Sequence, residues 1–344
     1  MARCGSLLLI LVAPVLLRAG SAEPAAVSSR LGLAEPGWFK VSHGYVVAFN
    51  RTQKIPSRDS IEVFDREGRR AARVDVLGQL PGAAEVTLDD VSVRETSPIV
   101  AGATIRMADG GLEDMLLYFT WEGLLVRSVS IPPEQEINNL DLDENGNVWT
   151  LTDYPGRRDD DTAGPLIFVY DHTGHLMKGL LRRTDYPAGF KEGPGTGGLV
   201  GFGLTQDGFW FWQPARRRMT VVSRDGHVLS QKFVTLPRSQ VHKSQSHPPE
   251  AGLVALLPSG QVAAGIVSPW PDVPTGAYLS RGKQFVRSSS QKLRLIGIDG
   301  LDFVFLKQYE PGSVQFEIVR EPLSAPAAVL PSSMKTMNSF VAMN

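Results

Sequence analysis

A strand, a tight turn closed by glycine and a second strand recur along this chain at a nearly fixed interval. That period limits the possible folds more than any other feature. The unit reads Val63-Phe64-Asp65-Arg66-Glu67-Gly68, then Tyr118-Phe119-Thr120-Trp121-Glu122-Gly123. It returns as Val169-Tyr170-Asp171-His172-Thr173-Gly174 and Val221-Val222-Ser223-Arg224-Asp225-Gly226. The turn glycines lie 55, 51 and 52 residues apart. Apolar runs bounded by glycine turns mark β-hairpins, and a period near fifty residues is about the length of one four-stranded blade. A lone four-stranded sheet cannot cover both of its apolar faces, so repeated sheets stack radially. The sequence therefore predicts an all-β chain, a β-propeller of four-stranded antiparallel blades.

Residues 139–180 display one complete unit: strands over Leu140–Asp143, Val148–Asp153, Leu166–Tyr170 and His175–Leu180, with turns at Gly146 and Gly174. Inner hairpins of the same kind occur at 204–210 and 256–262. Continuing the pattern gives blades one to four across 39–76, 86–131, 140–180 and 199–234. Blade five begins at 253–267, with no clear outer half in 269–290. Three more strands over 293–319 predict a sixth blade closed by a strand borrowed from the N-terminal segment, which leaves no open edge. Five blades with a long insertion is the competing count.

Composition fits a packed protein, with 42% hydrophobic and 21% charged residues. The net charge of −1 leaves no basic footprint for nucleic acid. Residues 1–22 read as a cleavable signal peptide: Arg3, an apolar core from Leu7 to Leu17, then small residues ending at Ala22. That core is short for a membrane span, so the mature chain is expected to be secreted or periplasmic, without a span; an uncleaved anchor is the alternative. The single cysteine, Cys4, falls inside this segment, which leaves the mature chain with no thiol chemistry. The expected divisions are a lead-in at 23–36, the propeller at 37–322 and a flexible tail at 323–344.

The segments Asp143-Glu144-Asn145-Gly146-Asn147-Val148-Trp149 and Val169-Tyr170-Asp171-His172-Thr173-Gly174 resemble NHL-type and related six-bladed β-propeller repeats. The resemblance covers blades three and four well and the others loosely. It implies a fold and not an activity, since that superfamily contains binding scaffolds, sugar-lactone hydrolases and lyases. It also sorts the loops: tight turns on one face, and the long second-to-third and blade-to-blade loops on the face where function more often resides.

On that face Asp153 ends an inner strand, and the matching ends offer Asn50, Gln213 and Ser268. This is a polar ring with few charges and a poor divalent site. Asp141 and Asp143 alternate around the Gly146 turn like the first half of a calcium loop, but Thr152 stands where such a loop needs glutamate. No cofactor is expected; a divalent cation held by Asp141, Asp143 and Asp153 is the alternative. The acidic run 159–161 reads as solvated surface. His242 and His247 lie five apart on a blade connection, a spacing with no fixed ligand geometry, although either is a candidate general base. His43, His172, His175 and His227 sit in or beside tight turns and are expected at the surface. In Phe209-Trp210-Phe211-Trp212 both faces of the strand are apolar, as a sandwiched blade requires. Trp212, at the strand end, is the one expected to line a pocket, and Trp270 on a long loop is a free aromatic for a ligand. Asn50-Arg51-Thr52 is a glycosylation sequon. The reading is an exported binding or scaffold propeller whose long-loop face takes a protein, peptide or carbohydrate. The alternative is a channel enzyme, a metal-assisted lactonase-like hydrolase or a lyase.

Overall fold

The computed structural model describes residues 27–32, 38–49, 60–132, 135, 137–152, 164–182, 185–186, 201–213, 216–235, 237, 250–268, 272–289, 292–308 and 315–323. They form six four-stranded antiparallel sheets arranged as a six-bladed β-propeller. The first strand in the chain, β1 (Val27–Gly32), belongs to the last blade. Blade 1 is β2 (Trp38–Ser42), β3 (Tyr45–Phe49), β4 (Ser60–Phe64) and β5 (Arg70–Asp75). Blade 2 is β6 (Ala83–Ser92), β7 (Ile99–Met107), β8 (Leu112–Phe119) and β9 (Leu125–Ile131). Blade 3 is β10 (Ile137–Leu142), β11 (Val148–Thr152), β12 (Pro165–Tyr170) and β13 (Leu176–Arg182). Blade 4 is β14 (Phe202–Thr205), β15 (Gly208–Gln213), β16 (Arg218–Ser223) and β17 (Val228–Phe233). Blade 5 is β18 (Glu250–Leu256), β19 (Val262–Val267), β20 (Gly276–Arg281) and β21 (Gln284–Arg287). Blade 6 is β22 (Arg294–Asp299), β23 (Asp302–Gln308) and β24 (Gln315–Pro322), completed by β1.

Six blades, not five, is the count. The missing outer half of blade 5 is β20 and β21, short strands joined at Gly282 without the Asp-, Thr- or Ser-to-glycine turn that flags blades 1 to 4. Closure follows the expected device. β1 pairs antiparallel with β24 over its whole length, from Val27 opposite Arg320 to Gly32 opposite Gln315. That strand lies inside the stretch read as a lead-in, so the propeller reaches back to Val27.

The turns explain why the repeat was visible. Asp65 Oδ1 accepts the backbone N–H of Glu67 and Arg69, and Asp171 Oδ1 accepts those of Thr173 and His175. Asp143 Oδ1 does the same for Asn145 and Asn147, and Thr120 Oγ1 for Glu122 and Leu124. Such side chains satisfy turn amides that the ladder leaves over. The glycine three residues on then takes positive φ, +79° at Gly68 and +86° at Gly174, where a Cβ would be strained.

Each blade is apolar on both faces, and each interface between blades is one cluster. Val63 and Val74 meet Leu88 and Ile99 between blades 1 and 2; Leu116 and Tyr118 meet Leu140 and Phe168 between 2 and 3. Trp149 and Ile167 meet Phe209 and Phe211, and Trp210 and Trp212 meet Val262 and Ile266. Leu279 meets Phe303 and Phe305, and Val304 and Phe316 meet Val46 and Phe64 to complete the circle. Each fully buried side chain of this size contributes roughly 1.5–3 kcal/mol. The outermost strands carry the solvent face, with β17 exposed at most positions.

Two outcomes test this account. Asp143 is 3% exposed and also accepts from Asn147 Nδ2 at 3.0 Å and Trp149 Nε1 at 3.2 Å. Asp143→Ala therefore lowers stability by about 2–3 kcal/mol in chemical denaturation. A protein beginning at residue 33 exposes the β24 edge and melts at least about 10 °C below one beginning at Glu23, measured by circular dichroism.

Candidate functional site

The first strands of the six blades, β2, β6, β10, β14, β18 and β22, surround a central channel of about 310 Å3. Antiparallel order puts the start of each inner strand at the long-loop face and its end at the tight-turn face. Because side chains alternate along a strand, each inner strand offers two residues to the channel. In blades 1 to 3 polar residues border it: Lys40 and Ser42, Asp89 and Asp90 at a β-bulge, and Asn139 and Asp141. In blades 4 to 6 they are apolar or small: Phe202 and Leu204, Leu253 and Ala255, Ile296 and Ile298. Polar side chains are concentrated on the side of blades 1 to 3, where Phe39, Val41 and Phe49 of blade 1 also border the channel, and the side of blades 4 to 6 is apolar apart from Arg294 at its mouth.

The polar half is knitted together. Lys40 Nζ donates to Asp90 Oδ2 and to the Leu140 carbonyl, both at 2.7 Å, while Asp90 Oδ2 accepts the Leu140 N–H at 2.8 Å. Ser42 Oγ lies 2.9 Å from Ser92 Oγ. Ser92 Oγ donates to Asp141 Oδ1 at 3.2 Å, and His43 Nε2 donates to the same oxygen at 2.9 Å from across the ring. Asp141 Oδ2 accepts the Leu204 N–H of blade 4 at 3.1 Å. Asp90 and Asp141 thus play one role at successive interfaces, each holding an inner-strand amide of the next blade. Burial alone would push the Asp141 carboxyl up, but the His43 hydrogen bond and charge, the Lys40 charge and the Leu204 amide together hold it below the usual carboxylate range.

Opposite, bulk is controlled by what is missing. Gly203 is the cross-strand partner of Trp210, and a Cβ there would stand 2.9 Å from the indole. A Cβ on Gly201 would come within 2.1 Å of the Val254 carbonyl. With no side chains at these two positions, the Trp210 ring reaches the channel wall. At the long-loop mouth the Arg294 guanidinium sits 5.7 Å from the centroid of the Trp38 ring, within cation–π range.

The sequence-derived candidates fare differently. Asp153, Trp270, His242, His247 and Asn50 lie outside the described residues. Trp212 is 2% exposed in the blade 4–5 interface, and it is Trp210 that borders the channel. Asp141 and Asp143 have different partners: Asp141 spans the inner strands, while Asp143 caps its own turn and receives Trp149 Nε1. Among the described residues no group of three or more His, Cys, Asp or Glu has metal-site geometry. Gln213 is fully buried with its amide oxygen held by Arg218, and neither it nor Ser268 lines the channel, because both end second strands. His172, His175 and His227 are exposed as expected. His43 is likewise exposed at its turn, and its ring, 25% exposed, reaches Asp141. Sequence reasoning overlooked Lys40, Asp90, Asn139 and Arg294. The available signal was alternation: polar residues at every second inner-strand position in blades 1 to 3, apolar ones in blades 4 to 6.

Asp141 sets a pH dependence. Its folded pKa lies below the unfolded value of 3.8, so its stabilisation is present above about pH 4 and is lost as the pH falls through the folded pKa. Asp141→Asn flattens part of the fall in urea-unfolding free energy between pH 5 and 2 and costs about 2 kcal/mol at pH 7.

No known sequence family matches the chain, and no curated protein sequence does. Among solved structures, streptogramin B lyase is 11% identical over 86% of this chain and 97% of that one, with a TM-score of 0.38. A Bacteroides vulgatus protein of the DUF4221 family is 11% identical over 86% and 96%, with a TM-score of 0.44. YCF48, solved with the D1 peptide, is 11% identical over 87% and 97%, with a TM-score of 0.41. The structural neighbours include six-bladed β-propellers, and at such identities the likeness concerns the fold alone.

Proposed function

We propose that this protein is an exported binding propeller that takes a small amphipathic molecule into its central channel from the long-loop face. The observation that supports the reading is the division of the channel into a polar and an apolar half. A ligand with one wet and one greasy side would lie against both. The channel carboxylates Asp90 and Asp141 already accept several donors each, which fits structural use better than turnover. A volume of about 310 Å3 is at the small end of the roughly 300–1,000 Å3 usual for ligand pockets. Export rests on the N-terminal signal pattern.

One observation favours a second reading. His43 and Asp141 form a hydrogen-bonded pair at the channel, the arrangement of an oriented general base, as a channel lyase or hydrolase would require. Turnover of any aryl lactone or ester that disappears in His43→Gln would move the assignment to that class.

Ala255→Trp places an indole in the channel and tests the binding reading. The unaltered protein is expected to bind 8-anilinonaphthalene-1-sulfonate at one site by titration calorimetry. Ala255→Trp should lose that binding while keeping its near-ultraviolet circular dichroism and a cooperative melt. Equal binding by both proteins, or none by either, would sink the proposal.

A further inference from the structure

The mouth of the channel holds a cation for which the described residues supply no acid. Arg294 opens β22 and borders the channel, with its guanidinium set against the Trp38 ring. The other lysine or arginine of the channel wall is engaged: Lys40 is held by Asp90 at 2.7 Å. The channel carboxylates are committed as well, Asp90 to Lys40 and the Leu140 amide, Asp141 to His43 and the Leu204 amide, while Asp89, which also borders the channel, accepts from Thr104 Oγ1 at 3.4 Å. Arg294 keeps accessible surface, yet desolvation at the crowded mouth draws its pKa below the usual arginine value, with no carboxylate raising it again. From this residue the wall descends through Ile296 and Ile298 on the same strand, beside Leu253 on the next.

An arginine that spends one face on an indole still has its edge N–H groups free. That edge matches the two oxygens of a carboxylate or phosphate. The stacking on Trp38 restricts the side chain, so less rotamer entropy is lost when the edge is used. Resting on the channel-binding reading above, we infer that the ligand is an anionic amphiphile: its carboxylate or phosphate head pairs with Arg294, and its hydrocarbon body lies along the apolar half formed by blades 4 to 6. A cationic amphiphile would meet Arg294 with like charge, and a neutral one would leave the guanidinium unpaired.

Titration calorimetry with four eight-carbon probes tests this on the intact protein: octanoate, octyl phosphate, octanol and octyltrimethylammonium. Octanoate or octyl phosphate is expected to bind at least about tenfold tighter than octanol and the ammonium probe. Arg294→Gln should weaken the better anion about tenfold and leave octanol unchanged, and Arg294→Lys should restore part of the loss. The ratio of octanoate to octyl phosphate then identifies the preferred head. Octanol binding as tightly as both anions, or an Arg294→Gln protein that binds them undiminished, overturns the anionic assignment while leaving channel binding intact. If none of the four binds, or if Ala255→Trp binds them all unchanged, the channel reading falls and the assignment with it.

Discussion

Every blade of this protein is apolar on both faces, and that single constraint organises the rest. Phe209 and Phe211 look toward blade 3 while Trp210 and Trp212 look toward blade 5. No sheet built this way can stand at the end of a stack, since one apolar face would meet water. The only arrangement without an end is a ring, and a ring of sheets needs its first and last members joined. Blade 6 meets that need with three strands from the C-terminal part of the chain and one from near the start. The apolar clusters between blades form an unbroken circuit.

The inner strands face a different problem. Six edges converge on the axis, each with backbone groups that no neighbouring strand pairs. In blades 2 and 3 the answer is a carboxylate that reaches the amide of the following blade, Asp90 to Leu140 and Asp141 to Leu204. Elsewhere the inner strands approach closely instead: a Cβ on Gly297 of β22 would lie 2.3 Å from the Val41 side chain of β2. The two solutions give the channel its uneven chemistry. Carboxylates need counter-charges and donors, which brings Lys40, His43 and Ser92 to one side. Glycine contacts need none, and the opposite side stays apolar.

The blades were legible because their signals are local. An aspartate or threonine at the start of the outer turn and a glycine three residues later satisfy backbone needs within six residues of chain, so the period survives in the sequence. Strand faces follow from alternation, and Phe209–Trp212 reads correctly from its own residues. The outer half of blade 5 was hidden because Gly282 closes its turn without an aspartate, threonine or serine three residues before it. The channel was hidden for another reason. His43 and Asp141 are 98 residues apart, and Lys40 meets Leu140 at a separation of 100. Such pairs are chosen by ring geometry, which no window of sequence contains. Attention fell on second-strand ends such as Gln213, whereas the walls come from the first strands. Position at a strand end singles out Trp212 in the sequence, while the two glycines that let Trp210 through are informative only once β14 and β15 are paired.

The borrowed strand also fixes an order of events. β1 leaves the ribosome among the earliest parts of the fold, yet the edge it pairs with, Gln315–Arg320, is among the last. Blades 1 to 5 draw all their strands from consecutive stretches and can form as the chain emerges. The ring cannot close until nearly the whole chain has been made, and β1 must stay unpaired throughout. Closure across so long a span is entropically costly and slow, though the cost grows only logarithmically with length. Until β1 pairs, the β24 edge is bare and open to wrong pairing with another copy.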